Sequence, residues 1–360
     1  MKYVRNAWYP LGWAEEIGRE LSRHMVLEEA IVVYRREDGK IAALQDACPH
    51  RLAPLSLGRL KGDAIECGYH GMTFDCSGKC VRIPGQDIIP GNAVVRAYPV
   101  EEKYGLAWIW MGDSALADRA GLFHLEQYDA PGWRAVKGGT LRIDCNYLSL
   151  CDNLLDPAHV TFVHPSTLGT PAGATVPVNN EYGERSIIVW RWIRDAPAIP
   201  LFAKYGGFAT NVDRWHYYNY TAPCFYAIDM GSCLTGTIAD MDKRHEGVQM
   251  FACHLLTPVD ESTVLQHWFH VRNFRTDEAA MDAELTRDMD RAFNEDKVVL
   301  QRIQFEEERE AARGKPYKRI ILGIDAAPRR MHKMIDQMIE QEERVAGHGA
   351  MAARQEKVTA

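Results

Sequence analysis

The sequence predicts an α+β fold, in which an N-terminal all-β domain precedes a larger domain that combines an antiparallel sheet with long helices. Short runs of β-branched and aromatic residues, separated by turn dipeptides, fill the first hundred or so residues. A second series of strand-like runs follows between residues 133 and 271. The stretch 276–312 then has the apolar spacing of one long, charged helix.

The N-terminal domain is predicted to consist of hairpins. Residues 31–35 and 41–45 flank Asp38-Gly39, and a second pair of runs flanks Ser77-Gly78. Such dipeptides favour tight turns between antiparallel strands. The stretch 112–132, which ends in Pro131-Gly132, marks the boundary to the second domain.

From these signals we expect a first domain over residues 1–115, a second over 116–343 and a flexible tail over 344–360. In the second domain, apolar spacing predicts a helix over 146–163. A last helix is expected over 331–344, which precedes the tail.

The composition is that of a globular protein, since 46% of the 360 residues are hydrophobic and 25% are charged. A formal net charge of -7 gives no indication of nucleic acid or an anionic membrane as a partner. No apolar run approaches the length needed to cross a bilayer, and the N-terminus lacks the core of a signal peptide. We therefore expect a cytoplasmic protein. Nine cysteines, an odd number, predict mostly buried free thiols instead of a disulfide scaffold.

Two short motifs in the β domain combine thiols with imidazoles. Cys48-Pro49-His50 and Cys67-Gly68-Tyr69-His70 each place one cysteine and one histidine at a turn. Zinc sites usually group cysteine with cysteine and histidine with histidine. In a Rieske [2Fe–2S] cluster, two cysteines hold one iron and two histidines hold the other. We interpret the four residues as ligands of such a cluster, with structural zinc as the alternative.

A second set of candidate ligands lies in the segment 153–164. Asp156 and His159 are three residues apart, so they would share one face of the predicted helix, and His164 lies at its end. Two histidines and one carboxylate with open positions are the donor set of non-haem Fe(II) oxygenases. Alone, each histidine is often an ordinary structural residue, but an electron-transfer centre upstream gives the pair a use in activating O2.

The carboxylate of this donor set need not be local. The long helix offers Glu295 and Asp296 as further candidates. Either acid alone is expected on a solvated helix face.

These motifs make the chain similar to a known family. It resembles the oxygenase component of Rieske non-haem iron oxygenases, and within them the vanillate O-demethylase group of aromatic demethylases and monooxygenases. The resemblance covers nearly the whole chain and rests on Cys-Pro-His-Arg at 48–51, Cys-Gly-Tyr-His-Gly at 67–71, Asn-Leu-Leu-Asp-Pro-Ala-His at 153–159 with His164, and Glu-Asp-Lys at 295–297. The motifs are specific for the family and say little about the substrate.

The resemblance implies an N-terminal Rieske domain and a helix-grip-like catalytic domain with a mononuclear Fe(II). His159, His164 and Asp296 would hold this iron. Asp156 would link a cluster histidine of one subunit to an iron-ligating histidine of its neighbour within a homotrimer. Asn153 would lie near the iron.

The same resemblance implies an external electron supply. Electrons would come from NADH through a separate reductase or ferredoxin, which agrees with the lack of a Gly-rich dinucleotide motif in the chain. O2 would be the co-substrate, and a small aromatic molecule would be hydroxylated at a methoxy, N-alkyl or methyl substituent. We expect O-demethylation of a vanillate-like aromatic acid, with release of formaldehyde.

Few substrate contacts can be predicted. His254 resembles a position that contacts the substrate in a related demethylase. His216, Asn219 and His270 are weaker candidates. The aromatic strip of β-strand residues is expected to be core: Trp215, Tyr217, Tyr218 and Tyr220.

Other interpretations remain open from the residues. The chain could be a zinc-stabilised binding module without chemistry, or an electron carrier that uses only its β domain. Among enzymes, an N-dealkylating or methyl-hydroxylating monooxygenase and a ring-hydroxylating dioxygenase are alternatives.

Overall fold

The computed structural model describes residues 2–314 and 318–358, with side chains up to residue 346. The chain folds into two compact units. The first contains the residues up to Leu122, together with Thr257–Asp260 and the chain from Glu342 onward. The second contains Phe123–Leu256 and Glu261–Gln341. The domain limits expected at residues 115 and 343 stay a prediction, as does the flexibility of the tail, most of whose side chains lie outside the described residues.

Apart from the end of the last helix, which belongs to the same unit, the first unit is built from β-strands, as predicted for the N-terminal domain. Its strands are β1 (Trp8–Trp13), β2 (Ser22–Val26), β3 (Glu29–Arg35), β4 (Ile41–Gln45), β5 (Arg59–Lys61), β6 (Ala64–Glu66), β7 (Thr73–Phe74), β8 (Cys80–Arg82), β9 (Ala97–Tyr98), β10 (Val100–Lys103) and β11 (Leu106–Trp110). They form antiparallel sheets with the orders β1-β11-β10, β2-β3-β4-β9 and β5-β6-β7-β8. Both predicted hairpins are confirmed, since β3 pairs with β4 and β7 pairs with β8.

The turn of the second hairpin explains its glycine. Gly78 has φ +82°, a conformation that side chains rarely adopt. A Cβ atom there would also lie 2.1 Å from the carbonyl oxygen of Val95. Only glycine fits this turn.

A buried carboxylate fixes the start of the first cysteine motif. Asp46 is 3% exposed and follows β4. Its Oδ1 accepts a hydrogen bond from the Ser56 backbone N–H at 2.7 Å, and its Oδ2 accepts one from the Ser56 hydroxyl at 2.7 Å. Arg23 Nη1 donates to Oδ2 at 3.0 Å. Asp46 and Ser56 thus hold both ends of the segment that contains Cys48.

The second unit is built around one seven-stranded antiparallel sheet. Its strands are β12 (Arg134–Ile143), β13 (Asn179–Tyr182), β14 (Ser186–Ala196), β15 (Val212–Thr221), β16 (Phe225–Leu234), β17 (Val248–Asp260) and β18 (Thr263–Arg272). The order is β12-β18-β17-β16-β15-β14-β13. The helices of the chain are α1 (Tyr147–Leu154), α2 (Val160–Val163), α3 (Pro200–Tyr205), α4 (Ala280–Ala312) and α5 (Ala326–Val358). The predicted α+β class is confirmed.

One face of this sheet packs on the long helix α4. Strand register places Tyr218, Ile228 and Ala252 side by side, and His216 and His254 lie two residues from members of this row. Because side chains alternate along a strand, all five lie on one face, which we call the inner face. Phe293 of α4 contacts His254 on this face, with ring centroids 4.6 Å apart.

The prediction of a single helix over 146–163 is wrong in one respect. The segment forms two helices, α1 and α2, separated at Asp156-Pro157. Proline lacks a backbone N–H and disfavours helical backbone in the preceding residue, so the helix ends there. Asp156 and His159 therefore do not share a helix face. The long helix begins at Ala280, later than Thr276, and the last helix begins at Ala326 and extends beyond residue 344.

The cysteines of the second unit are free and buried, in agreement with the predicted buried thiols: Cys145, Cys151, Cys224, Cys233 and Cys253. Among the described residues, no helix combines the length and apolar character that crossing a bilayer requires.

The Asp46 contacts generate a prediction for stability. Replacement of Asp46 by alanine removes the acceptor of three hydrogen bonds and should lower the free energy of unfolding by about 1–3 kcal/mol. Urea denaturation followed by circular dichroism measures this change. Asp87→Ala, at an exposed position of the same unit, is the control and should leave the free energy within about 0.5 kcal/mol. Equal stability of the two variants would show that the Asp46 contacts contribute nothing.

Candidate active site

The two cysteine motifs form loops with the same backbone hydrogen bonds. In the first loop, the Cys48 N–H donates to the carbonyl of Ala53 at 2.9 Å, and the Leu52 N–H donates to the carbonyl of Cys48 at 2.8 Å. Leu52 has φ +57°, which is unusual for a leucine. The backbone there is strained in a way that suits a functional loop.

The second loop repeats this pattern. The Cys67 N–H donates to the carbonyl of Met72 at 2.8 Å, and the Gly71 N–H donates to the carbonyl of Cys67 at 3.0 Å. Gly71 has φ +72° and corresponds to Leu52. Two loops of equal geometry thus each offer one cysteine and one histidine.

The four side chains divide by burial. Cys48 and Cys67 are each 2% exposed and belong to the core of the first unit. His50 and His70 are exposed, with ring centroids 4.6 Å apart. Burial, together with the nearby Cys67 thiol, raises the pKa of the Cys48 thiol. A group that needs two buried thiolates and two outward imidazoles fits this arrangement, and that is the donor set of a Rieske cluster.

Three further ligand atoms converge in the second unit. His164 Nε2 lies 3.1 Å and His159 Nε2 lies 3.5 Å from Asp296 Oδ1. All three atoms are within 4.8 Å of one another. Two donors at right angles around a first-row metal ion lie about 3 Å apart. The two imidazoles and the carboxylate can therefore hold one ion and leave coordination positions open.

The interruption at Pro157 creates this geometry. His159 precedes the single-turn helix α2, and His164 follows it. The backbone N–H groups of Thr167, Leu168 and Gly169 all donate to the carbonyl of His164, which fixes the turn after it. A continuous helix would place residues five apart on different faces.

Residue spacing alone left two acids open, and the family resemblance selected Asp296; the structure shows how differently the two are placed. Asp296 is 6% exposed and faces the two Nε2 atoms. Glu295 instead accepts a hydrogen bond from the other ring nitrogen of His164, with Oε2 2.8 Å from Nδ1. Such a carboxylate fixes the orientation and the tautomer of a metal-ligating histidine. The sequence analysis did not predict this role of Glu295. The pair of adjacent acids, Glu295 and Asp296, was the signal that could have revealed it.

Asn153 and Asp156 lie at the edge of the ligand set. Asn153 Nδ2 donates to Asp296 Oδ1 at 2.9 Å. Asp156 Oδ2 lies 4.0 Å from Nδ1 of His159, a buried atom without a hydrogen-bond partner in the described structure. Asp156 Oδ1 accepts a hydrogen bond from the Ala158 N–H at 2.7 Å. Burial raises the pKa of Asp156.

The electrostatics of the ligand set favour binding of a cation. Burial acts to lower the pKa of His164, but hydrogen bonds to Asp296 and Glu295 outweigh it, so the pKa is raised. Burial acts to raise the pKa of Asp296, but the hydrogen bond from His164 holds it below its ordinary value. Burial lowers the pKa of His159. The carboxylate is therefore ionised and one imidazole is neutral, as metal ligands must be.

Of the predicted substrate contacts, His216 and His254 lie on the inner face of the sheet, whereas Asn219 lies on the opposite face. His254 accepts a hydrogen bond from Gln266 at 2.7 Å and interacts electrostatically with Asp296. Burial lowers the pKa of His254 to about 4, so this imidazole is neutral. His270 contacts Thr286 of α4 at 3.3 Å.

Asn219 is not brought to this site. It pairs with Ala227 and lies on the opposite face, because it follows Tyr218 directly in the strand. Its Nδ2 donates to the carbonyl of Ala227 at 2.8 Å, and it lines a cavity of about 420 Å³ that also contains Asp229 and Arg244.

Tyr218 was expected in an inert aromatic strip. The structure places its buried side chain on the inner face, where it interacts electrostatically with Asp296, Asp156 and Arg191. Strand alternation separates Tyr218 from Trp215 and Tyr217, and that period was the signal that could have found it.

Two family models match the two regions of the chain that contain the candidate ligands. The family model of the Rieske [2Fe-2S] domain matches residues 7–99. The model of the vanillate O-demethylase oxygenase C-terminal domain matches residues 143–341. These two regions contain the two candidate ligand sets.

Individual relatives span most of the chain. The toluene-4-sulfonate monooxygenase system iron–sulfur subunit of Comamonas testosteroni is 37% identical over 305 residues, 83% of this chain and 87% of its own. The dicamba O-demethylase oxygenase component of Stenotrophomonas maltophilia is 33% identical over 341 residues, 94% of this chain and 98% of its own. A crystal structure of dicamba monooxygenase bound to 3,6-dichlorosalicylic acid superposes with a TM-score of 0.86 at 32% identity, covering 95% of this chain and 99% of that one.

The Glu295–His164 contact generates a prediction for metal binding. Glu295→Gln removes the negative charge that orients His164, so affinity for ferrous iron should fall by about 10- to 100-fold. Anaerobic titration with Fe(II), with iron analysis, measures the affinity. Glu306→Gln, at a half-exposed glutamate on the same helix, is the matched control and should bind iron as the unmodified protein does. Undiminished iron affinity in the Glu295 variant would contradict the orienting role.

The matched domains, the relatives and the two ligand sets lead to one conclusion about ancestry. The chain belongs to the Rieske non-haem iron oxygenases, as an oxygenase component of the vanillate O-demethylase group, with a Rieske [2Fe–2S] domain followed by a non-haem iron oxygenase domain.

Proposed function

We propose that this protein is the terminal oxygenase of a two-component O-demethylase that acts on a methoxy group of an aromatic acid. The observation that carries the proposal is the convergence of His159, His164 and Asp296 in a chain that also has a Rieske domain. Electrons come from NADH through a separate reductase. We place the enzyme in the cytoplasm, where NADH is available.

The ligand roles follow from chemistry and position. Cys48 and Cys67 hold one cluster iron, and His50 and His70 hold the other. His159, His164 and Asp296 hold the mononuclear iron. When these groups are bound, the cluster supplies single electrons and the ferrous centre supplies O2 activation.

The reaction balances with one O2, two electrons and two protons, of which NADH supplies both electrons and one proton and the solvent supplies the other. A C–H bond of the methoxy group is replaced by C–OH, the second oxygen atom leaves as water, and NADH is oxidised to NAD⁺. The resulting hemiacetal loses its hydroxyl proton as the C–O bond to the ring breaks. The products are a phenol and formaldehyde.

The residues of the inner face prepare the site for this reaction. The apolar side chains of Ile228, Ala252 and Phe293 are buried there and exclude water. The side-chain amide of Asn153 donates a hydrogen bond to Asp296 Oδ1, which fixes the position of this carboxylate oxygen. Glu295 keeps the proton of His164 on Nδ1, which leaves Nε2 free as a ligand.

Asp156 is the connection between subunits in this proposal. Its Oδ2 lies near the unpartnered Nδ1 of His159, while His50 and His70 are exposed and accessible to a second copy of the chain. A carboxylate that accepts N–H groups from a cluster histidine and from His159 provides a hydrogen-bonded route for electrons. In the head-to-tail homotrimer that the family resemblance implies, this contact joins two subunits.

Relatives also favour two other oxidations at the same site. The chloroacetanilide N-alkylformylase oxygenase component of Rhizorhabdus wittichii is 34% identical over 84% of this chain, which supports N-dealkylation as the second candidate. The toluene-4-sulfonate relative supports hydroxylation of an aryl methyl group. The three ligand atoms serve any of these reactions, since each begins with attack on a C–H bond.

A coupled assay tests the proposed function. The iron-loaded protein, a Rieske reductase and NADH are incubated with methoxybenzoates, N-alkylanilides and aryl sulfonates, and formaldehyde is measured per O2 consumed. A methoxybenzoate should give one formaldehyde per O2. The His159→Ala variant should keep the visible absorption of the cluster and release none. Product only from another substrate class, or a cis-diol, would contradict O-demethylation.

The proposed role of Asp156 predicts a separable defect. Asp156→Asn should keep cluster and iron contents but lower reductase-coupled turnover by about tenfold or more, because an amide replaces the bridging carboxylate. Metal analysis and steady-state oxygen consumption measure the two properties. Asp144→Asn, at an exposed acid of the same unit, is the control. Normal turnover with full metal content would refute the bridge.

A further inference from the structure

Two arginines are buried on the inner face of the large sheet. Arg191 of β14 and Arg214 of β15 are each 2% exposed. Arg191 pairs directly with His216, and Arg214 lies two residues before His216, so strand alternation gives all three the same face. His216 is 5% exposed.

Neither arginine forms a salt bridge with a carboxylate in the part of the chain that the structure describes. Arg191 donates to the carbonyls of Gly173 at 2.7 Å and Pro157 at 2.8 Å. Arg214 donates to the hydroxyl of Thr170. The Nε atoms of both arginines and Nδ1 of His216 are buried and have no hydrogen-bond partner there.

A third buried arginine in the same sheet is paired with a carboxylate. Arg272 of β18 is fully buried, and its Nη2 lies 2.7 Å from Asp282. Pairing with a carboxylate is the usual condition for burying a guanidinium, because an unpaired buried charge costs several kcal/mol. Arg191 and Arg214 lack this compensation, and they lie close enough to repel each other.

The charge of both side chains persists in this environment. Burial, and then the charge of Arg191, lowers the pKa of Arg214 to about 10, so the guanidinium is protonated near neutral pH. Asp156 is the acid that acts on Arg191, but it does not contact the guanidinium. Two positive charges with free N–H donors therefore remain inside the domain.

Tyr218 connects this pair to the candidate iron ligands. It lies two residues after His216 on the inner face, and it interacts electrostatically with Arg191 as well as with Asp156 and Asp296. The cationic group and the ligand set thus line the same face, with Tyr218 in the field of both.

We propose that Arg214 and Arg191, assisted by His216, bind the acid group of the substrate, so that the enzyme selects aromatic carboxylates or sulfonates over neutral arenes. The inference rests on the proposed function for the aromatic nature of the substrate. An anion with two or three oxygens would accept hydrogen bonds from the unpaired N–H donors and neutralise the buried positive charge. Its binding at this end directs the opposite substituent of the ring toward His159, His164 and Asp296.

The two arginines contribute differently. Arg191 also links Pro157 to Gly173, so it positions the segment that carries both histidine ligands. Arg214 has one described hydrogen bond, to a side chain. Arg214 is therefore the residue whose replacement tests anion binding with the least effect on the iron site.

The test compares matched probes in binding to the iron-loaded protein without reductase. Isothermal titration with benzoate and benzenesulfonate, and with the neutral benzamide and benzenesulfonamide, gives the preference for an anion. The unmodified protein should bind one of the acids at least about tenfold more tightly than its amide. Arg214→Met should abolish this preference, whereas Arg214→Lys should retain part of it. Arg142→Met, at an exposed arginine of β12, is the control and should keep it in full.

Equal affinity of the unmodified protein for the acid and the amide in both pairs would overturn the inference, whatever the variants do. A preference that survives in folded Arg214→Met would overturn it as well. A clear preference for anions in a protein that releases no formaldehyde would contradict the proposed O-demethylation alone. Fast formaldehyde release from a neutral methoxyarene, as from its acid, would contradict only this inference.

Discussion

One carboxylate oxygen organises the catalytic half of this protein. Oδ1 of Asp296 receives the side chain of Asn153 and lies within 3.5 Å of Nε2 of His159 and His164. These contacts join the long helix α4 to a segment more than 130 residues earlier in the chain. The interruption at Pro157 makes them possible, because it turns the backbone so that both imidazoles face one acid. Without that break, the two histidines would diverge.

In the first unit, the candidate cluster ligands lie at the border of the hydrophobic core, where a charged group would have to be bound. Its two loops have equal backbone geometry, and each directs a thiol inward and an imidazole outward. Buried thiolates alone would be costly, and neutral imidazoles reduce the total charge that the core must tolerate. The exposed histidines are also the atoms that a neighbouring molecule can reach. In the proposed mechanism, electron delivery and assembly would both involve these two side chains.

Negative and positive side chains occupy different parts of the inner sheet face. Negative groups gather around the candidate iron ligands, while Arg191 and Arg214 supply positive charge farther along the face. Arg272 is paired with the carboxylate of Asp282, so burial of arginine in this sheet does not by itself require an open site. The contrast between paired and unpaired arginines is what connects the fold to the choice of substrate. Relatives named for an aryl sulfonate and for dicamba use the same scaffold.

The sequence by itself determined the fold class, both early hairpins, and the identity of the ligand-bearing motifs, because turn dipeptides and metal-binding spacings are local signals. Residue spacing alone could not choose between Glu295 and Asp296, since adjacent residues of a helix differ only in the direction they face, and that direction depends on packing; only the family resemblance selected Asp296. The sequence could not separate Asn219 from Tyr218 in function, because the two faces of a strand become distinct only when one is covered by α4. The unpaired state of Arg191 and Arg214 was likewise hidden, because the absence of a carboxylate partner is a property of the assembled domain.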